Sequence, residues 1–531
     1  MPPQQTYQNI NVVNFPDDDC NEKLQKDMEY IEPAFDSNLR RTQFLPATFN
    51  LVATIVGGGV LSLPLAFAKA GIIPSILLMI FAAVITDFSL YIICSCARRT
   101  NPGATSYMEI VKYAFGPGAE IATTSILVTY LSGVLVGFCV LLKGIFAPLA
   151  KDVLDLMGGS LGGIQETDKF DAIILFIILV LMAPLMIQRN LYALRNICYV
   201  GFSSVCFIAI TIGIRAYQRN FVDAKAENID FNIKWMASSW DDILFAFPVI
   251  VLAFLCAFNM VEVHTALVQP TRARVNSVIH ISVISCFFLF VAFGLVGYFY
   301  AYNTVLGNIF LNFDPSDKLI LTGRLGMGLT LMFGMPMSLL PCREAFFSLL
   351  KQIKAHRSNT LAAVAVEVPL GTDNMNEGKS LLQKSTSTTC HSASSLDYAS
   401  MNESNEKLNR METRSTCMED DIEEMEIDMD VSVASSSGMS ETRNAFVHVF
   451  VTLAFATFGY IGAVFVPGVE YVWRILGSSM GMIIAFIVPA LCYLKIRGHK
   501  GVRKTTAGAF LLLVFSIVAA IICTVKAVSS S

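Results

Sequence analysis

Charge is what this chain has least of. Asp, Glu, Lys and Arg together make up 15% of its 531 residues, where a soluble domain carries about a quarter, while hydrophobic residues make up 54%. A water-filled exterior over the whole length is therefore excluded. No G-x-x-x-x-G-K-[ST] phosphate loop is present, which removes ATP hydrolysis by that device. No H-E-x-x-H pair occurs and no nucleophile stands beside a base, so the chain does not read as an enzyme. Neither a repeated carbonyl filter nor a ring of charges marks a channel. Residues 1 to 43 are polar and acidic, with Asp17-Asp18-Asp19 and no apolar core, so no cleavable leader is expected and the N-terminus is expected to be retained. The 13 cysteines fall in apolar segments or in segments expected to be cytosolic, among the latter Cys20, Cys390 and Cys417, and imply no disulfide framework. No cofactor, metal or nucleic-acid partner is expected.

What the chain does have is long apolar runs joined by short polar ones. Stretches of roughly 20 apolar residues, the length that crosses a bilayer, fall near 46 to 69, 72 to 96, 121 to 149, 171 to 188, 194 to 216, 242 to 267, 277 to 302, 322 to 349, 444 to 466, 471 to 494 and 506 to 527. The expectation is an all-α polytopic membrane protein with about eleven transmembrane helices. Basic residues flanking the runs, including Arg40, Arg41, Arg98, Arg99, Arg272, Arg274, Arg343, Lys351, Lys495 and Arg503, share one side if the N-terminus is cytosolic. The other side is mixed, with Arg215, Arg219, Lys225 and Lys234 diluted by Asp223, Glu227, Asp230, Asp241 and Asp242.

The most informative run is Asn50 to Gly71, in which Gly57-Gly58-Gly59 and Pro64 interrupt a segment otherwise apolar enough to span. Backbone amides freed in mid-membrane cost several kcal/mol each unless protein, water or a ligand satisfies them. The glycines are therefore expected to face a cavity. The sixth run has an interruption of its own, Cys256-Ala257-Phe258-Asn259, followed by Glu262 and His264, roughly 200 residues later. Paired broken helices in matching places of two halves point to an inverted repeat of five spans each, with a small molecule bound at the breaks and the eleventh span added outside the repeat. Close helix packing through small residues is the competing reading of the glycines.

The expected domain boundaries are a disordered cytosolic tail over 1–43, spans 1 to 8 over 44–350, a disordered cytosolic loop over 351–442, and spans 9 to 11 with a short tail over 443–531. The loop is rich in Ser, Thr and Met and carries the acidic block 419 to 424, too little apolar surface to offset the entropy of ordering. It reads as a passive linker or as a regulatory element. Within it Glu377, Leu381 and Leu382 resemble an acidic dileucine sorting signal that adaptors would read, and Tyr7 to Ile10 resembles a tyrosine-based one. The sequon Asn402-Glu403-Ser404 lies in the same loop and is expected to stay unmodified.

These residues resemble the amino acid/auxin permease family, which includes sodium-coupled neutral amino acid transporters of animal cells and vacuolar amino acid transporters of fungi. The resemblance rests on Gly57-x-Gly59-x-Leu61-x-Leu63-Pro64-x-Ala66-Phe67-x-x-x-Gly71, on Cys256 to Asn259 leading to Pro270-Thr271, and on Arg324 with Pro336, Pro341 and Arg343. It implies a fold resembling the LeuT/APC-type transporters and a membrane that is plasma, lysosomal or vacuolar. Many relatives have His where this chain has Ala257.

The candidate substrate-binding residues are Gly57, Gly58, Gly59, Thr54, Cys256, Phe258, Asn259 and Tyr130. Freed N–H groups at the glycines and the positive end of the following half-helix suit a substrate carboxylate. The break near Cys256 to Phe258 would face the amino group with carbonyls. Asp87, the clearest ionisable residue inside a predicted span, is a candidate proton relay or a structural pairing group; Thr330 and Ser338 complete the candidate coupling-ion set. Glu262 and His264 are gate residues or interfacial polar residues, and Lys143 is expected to snorkel. Where the resemblance implies side-chain ligands for sodium, this chain has Ala53 and Gly334. The expected function is secondary active transport of amino acids, driven by protons or uncoupled rather than sodium-coupled. The alternative is a transporter-like amino acid sensor signalling through its loop and tail.

Overall fold

The computed structural model describes residues 40–100, 104–156, 168–188, 197–223, 233–314, 317–367, 446–497 and 504–529. The possible sorting signals at Tyr7 and at Glu377, Leu381 and Leu382, and the sequon at Asn402, lie outside them. The chain separates into two units, Met1–His356 with Thr452–Ser531, and Arg357–Val451. In the second, the described residues 357–367 and 446–451 are helical. The broken helices and cavities belong to the first.

Among the described residues the structure is all-α, with a single isolated bridge between Thr42 and Leu267. In chain order the helices are α1 (Phe44–Ile55), α2 (Leu63–Ala70), α3 (Ile72–Ala97), α4 (Tyr107–Phe115), α5 (Pro117–Leu156), α6 (Asp168–Ile187) and α7 (Ile197–Tyr217). They continue with α8 (Trp240–Ala253), α9 (Ala257–Ala266), α10 (Arg272–Ala301) and α11 (Lys318–Glu367). The last are α12 (Phe446–Phe465), α13 (Val469–Leu476), α14 (Val488–Arg497) and α15 (Lys504–Ser529). The 26 residues of α3 extend about 39 Å at 1.5 Å per residue, more than the hydrocarbon core requires.

Among the described residues nine helices are long and apolar enough to cross a membrane, and ten if the bent pair α1–α2 counts as one span. The chain is a multi-pass membrane protein. Helix α7, 21 residues long, occupies the place expected for the fifth span. Helix α11 runs on through Glu367, past the boundary expected at 350. At the other end of the sequence, residues 40 to 42 are tied to α9: Thr42 N–H donates to the Ala266 carbonyl at 2.8 Å, and Arg40 Nη1 to the carbonyls of His264 and Leu267 at 3.2 and 3.3 Å.

Burial sorts the helices into an inner set and an outer one. In the spanning window of Trp240–Ala266, 72% of residues are buried within the protein, against 22% for α12 and α15. The outer helices accordingly show bare apolar side chains, among them Phe458, Phe465, Leu511 and Ile521, which in a bilayer meet lipid rather than water. The inner set is drawn together by small residues. A Cβ at Gly477 would fall on the Pro248 carbonyl oxygen, so α8 and the α13 segment touch backbone to backbone. Gly71 joins α2 to α3 with φ +84° while the Met236 backbone lies 2.9 Å from where its Cβ would be; both facts demand glycine.

Between α13 and α14 the helix widens through two π-helical turns, Gly477–Gly481 and Ile483–Ile487. Such turns free carbonyls from the regular ladder. Two are taken up from outside: Tyr107 Oη donates to the Ile484 carbonyl at 2.7 Å, and Ser89 Oγ donates to that of Ala485.

Candidate functional site

The first break is where the glycines are. Helix α1 ends at Ile55, Gly57 is extended (φ −117°, ψ −161°), a 3-10 turn runs over Gly58–Ser62, and α2 leaves at 46° to α1. The local ladder is thinned: Gly57 N–H donates to Ile55 O at 3.0 Å and Val60 N–H to Gly57 O at 3.3 Å. Among the described residues, no backbone carbonyl accepts from the N–H of Gly58 or Gly59. These two donors sit at the head of a helical turn that feeds α2, where a macrodipole favours negative charge.

The second break lies at Phe254 to Cys256, between α8 and α9. It falls two residues earlier than the Cys256 to Phe258 position expected for it, so Phe258 and Asn259 stand in the first turn of α9 rather than in the break. Phe254 and Leu255 close a short turn by donating to Val251 and Leu252 carbonyls, both at 3.1 Å, and Asn259 N–H donates to the Cys256 carbonyl at 3.1 Å.

The two breaks meet at a cavity of about 270 Å³. Its wall includes Gly57, Gly58, Gly59, Thr54, Phe258, Asn259, Tyr130, Thr330 and Ser338, nine of the eleven residues singled out from the sequence. Tyr130 and Phe258 meet edge to face, with ring centroids 6.3 Å apart. Thr330, Gly334 and Ser338 are spaced four residues apart, which puts them on one face of α11. Thr54 and Thr330 each donate a hydroxyl to the carbonyl one turn back, Asn50 and Gly326, both at 2.8 Å. Ala53 and Gly334 both line the wall and bring no side-chain oxygen.

The glycines do different things. A Cβ at Gly57 would meet nothing within 4 Å, so this position opens on the cavity. One at Gly58 would lie 2.6 Å from a methyl of Leu141, so Gly58 also serves close packing against α5. At Gly59 the nearest atom is the Ala253 Cα at 3.8 Å, an ordinary contact. The two readings of the glycine run therefore divide between neighbouring residues.

Two of the candidates are elsewhere. Cys256 is 1% exposed and is absent from the cavity wall. Asp87, in α3, is also outside it: its carboxylate lies 2.5 Å from His280 Nδ1 of α10, with side-chain exposures of 26% and 53%. His264 is buried at the end of α9, with Nε2 unpartnered among the described residues, and Glu262 is likewise outside the wall. Lys143 Nζ donates to the Ala463 carbonyl at 2.6 Å, near the C-terminus of α12 where a cation is favoured, rather than reaching for an interface. Arg324 and Arg343 are buried anchors, the former donating to the Phe310 and Phe313 carbonyls, the latter to the Met186 carbonyl and the Thr452 hydroxyl.

The sequence reading missed several wall residues, chiefly Asn50, Phe138, Phe202 and Trp473. Trp473 comes from α13; its ring sits where a Cβ at Gly137 would be, and its buried Nε1 has no hydrogen-bond partner among the described residues. The available signal was the tryptophan itself, the amphipathic residue least at ease in pure hydrocarbon. The wall draws on Asn50, Ala53 and Thr54 of α1, Gly201 and Phe202 at the start of α7, and Met337 and Ser338 of α11, so the cavity opens toward the end of the bundle where α1 begins. At the opposite end Ser62 Oγ donates to the Gly307 carbonyl at 2.6 Å, tying the first break to the loop after α10.

Comparison with known proteins bears on this site. Residues 40–529 match the family model described as transmembrane amino acid transporter protein. A protein named vacuolar amino acid transporter 5, from Schizosaccharomyces pombe, is 25% identical over 317 residues, which cover 60% of this chain and 72% of that protein. A putative sodium-coupled neutral amino acid transporter 11, from Rattus norvegicus, is 26% identical over 305 residues, covering 56% of this chain and 63% of that one. The match thus spans less than two thirds of the rat relative. Among solved structures, MhsT in complex with L-phenylalanine aligns over 92% of this chain and 99% of its own, with a TM-score of 0.49 and 9% identity.

Proposed function

The chain belongs to the transmembrane amino acid transporter family, and on that premise we propose that it carries amino acids across a membrane by alternating access, with the substrate held between the two helix breaks. One observation carries the reading: open space at Gly57 stands directly beside the undonated N–H groups of Gly58 and Gly59 at the head of a half-helix. A carboxylate in that space would accept both and lie at the positive end of the dipole. The C-terminal carbonyls of α8, across the cavity, suit the ammonium group. Tyr130 and Phe258 would form the apolar side of the pocket, with Thr54 and Asn259 as hydrogen-bonding groups.

Coupling is proposed to be to protons, or absent, rather than to sodium. A desolvated cation needs several oxygens at once. Ala53 and Gly334 contribute none, and the Thr54 and Thr330 hydroxyls are already oriented toward carbonyls of their own helices. The Asp87–His280 pair offers the alternative. It joins α3 to α10 away from the cavity, so a change in its protonation would alter how those two helices hold together rather than touch the substrate.

Uptake into liposomes bearing the purified full-length chain tests this. Flux should persist when choline replaces sodium. A strict sodium requirement would overturn the coupling and direct attention to Thr54 and Thr330 as ligands. Binding without flux in any gradient would favour the sensor instead.

A further inference from the structure

Beyond the break, at the end of the bundle opposite the open cavity, lies a second cavity of about 390 Å³. Its wall is charged: Lys69 closes α2, Lys234 and Asp242 precede and begin α8, and Glu470 and Arg474 come from α13. Two of these groups satisfy each other, since Lys234 Nζ stands 3.0 Å from Asp242 Oδ2 and also donates to the Lys69 carbonyl. Arg474 is different. It is 6% exposed, and among the described residues its guanidinium makes no hydrogen bond and no ion pair; its close neighbour is the ring of Phe245, 4.5 Å from the guanidinium carbon.

Glu470 attracts this guanidinium across the cavity without bonding to it, and the stacked Phe245 ring fixes its plane without supplying acceptors. The same cavity holds Glu470, one turn before Arg474 on the same helix face and not within 4.0 Å of it. A side chain at Gly307 or Gly468 would run into the Glu470 carboxylate, so two glycines leave the room in which it sits.

We propose that this cavity is a second subsite for the zwitterionic head group of an amino acid, with Arg474 taking the carboxylate and Glu470 the ammonium. The planar fork of arginine matches a carboxylate bidentately, and Phe245 holds the fork in place. A simple inorganic anion fits less well, because it would meet Glu470 with like charge. Trp473, the residue before Arg474, walls the central cavity, so adjacent residues of α13 line the two sites. The proposal rests on the transport reading: the subsite would hold substrate on the far side of the closure.

Equilibrium binding of labelled glycine, alanine, leucine, glutamine, glutamate and arginine to the full-length purified protein tests it. The expected result is two molecules of one of these amino acids per chain for the wild type and one for Arg474→Gln, with Arg474→Lys, which keeps the charge but not the fork, binding the second at least about tenfold more weakly than the wild type. Gly57→Val should also bind one, and the double variant Gly57→Val/Arg474→Gln none. Should Arg474→Gln not yield a monodisperse protein, Glu470→Gln carries the same expectation. Equal stoichiometry and affinity in wild type and Arg474→Gln overturns the subsite and, provided Gly57→Val loses binding, leaves the transport reading standing. Binding of none of the six by the wild type overturns both. Displacement of the Arg474-dependent molecule by chloride, but not by other amino acids, identifies an anion site and refutes the zwitterion.

Discussion

Replacing Gly57 with valine separates the folding role of the glycine run from its binding role. The backbone at Gly57 has φ −117°, which any L-residue adopts, and a Cβ there meets nothing within 4 Å, so the protein should tolerate the side chain with a stability change within about 1 kcal/mol. What the valine does occupy is the space beside the N–H groups of Gly58 and Gly59. A carboxylate displaced from both loses two charge-assisted hydrogen bonds, each worth roughly 1.5–3 kcal/mol. The sum, about 3–6 kcal/mol, is a loss of affinity on the order of 10²- to 10⁴-fold. Gly58→Ala should do the reverse. Its Cβ would stand 2.6 Å from Leu141 Cδ1, an overpacking expected to cost roughly 1–3 kcal/mol and to lower the melting temperature. Binding of labelled amino acid and thermal unfolding, measured on both variants after equal membrane insertion, read the two effects. Unaltered affinity in Gly57→Val would refute the anion site, and an unaltered melting temperature in Gly58→Ala would refute the packing argument.

Further outcomes follow from the same geometry. Asp87→Asn removes the charge facing His280 and should abolish any stimulation of uptake by an inward proton gradient while leaving substrate affinity within about twofold, since the pair is away from the cavity; retained stimulation would assign the proton elsewhere. Gly71→Ala forces a Cβ into a left-handed turn and against the Met236 backbone, and should destabilise by about 1–3 kcal/mol in thermal unfolding without changing the affinity of what still folds. Deleting residues 368–442, which lie beyond the described end of α11, should leave flux nearly intact in the liposome assay; loss of flux would make the loop part of the transport machinery.

Much of the site was legible because membrane burial makes backbone interruptions expensive. Gly57-Gly58-Gly59 could be placed at a cavity from that cost alone, and the structure puts all three in the wall. The second break was harder to locate. Phe254, Leu255 and Cys256 are as apolar as the helices around them, and nothing in their side chains shows that the turn closes there rather than two residues later. Side-chain direction was beyond reach for the same reason: Cys256 and Phe258 differ by two positions, yet one is sealed in the core and the other faces the cavity. Partners distant in sequence were invisible as well. Asp87 stood out as an ionisable group in a span, but its neighbour His280 is 193 residues away on a helix whose own pattern gave no sign of it. Trp473 illustrates the converse, a wall residue delivered by a segment read only as another span.

The central claim is that the cavity between the two breaks is a passage for amino acids. Time-resolved uptake of labelled amino acids by liposomes containing the full-length protein tests it most directly, beside liposomes with the Gly57→Val variant and liposomes without protein. The account expects saturable uptake of at least one amino acid by the wild type and uptake at the protein-free level by the variant, both proteins being equally inserted. Uptake by the variant equal to that of the wild type, or no uptake of any amino acid by the wild type under any imposed gradient, would contradict it.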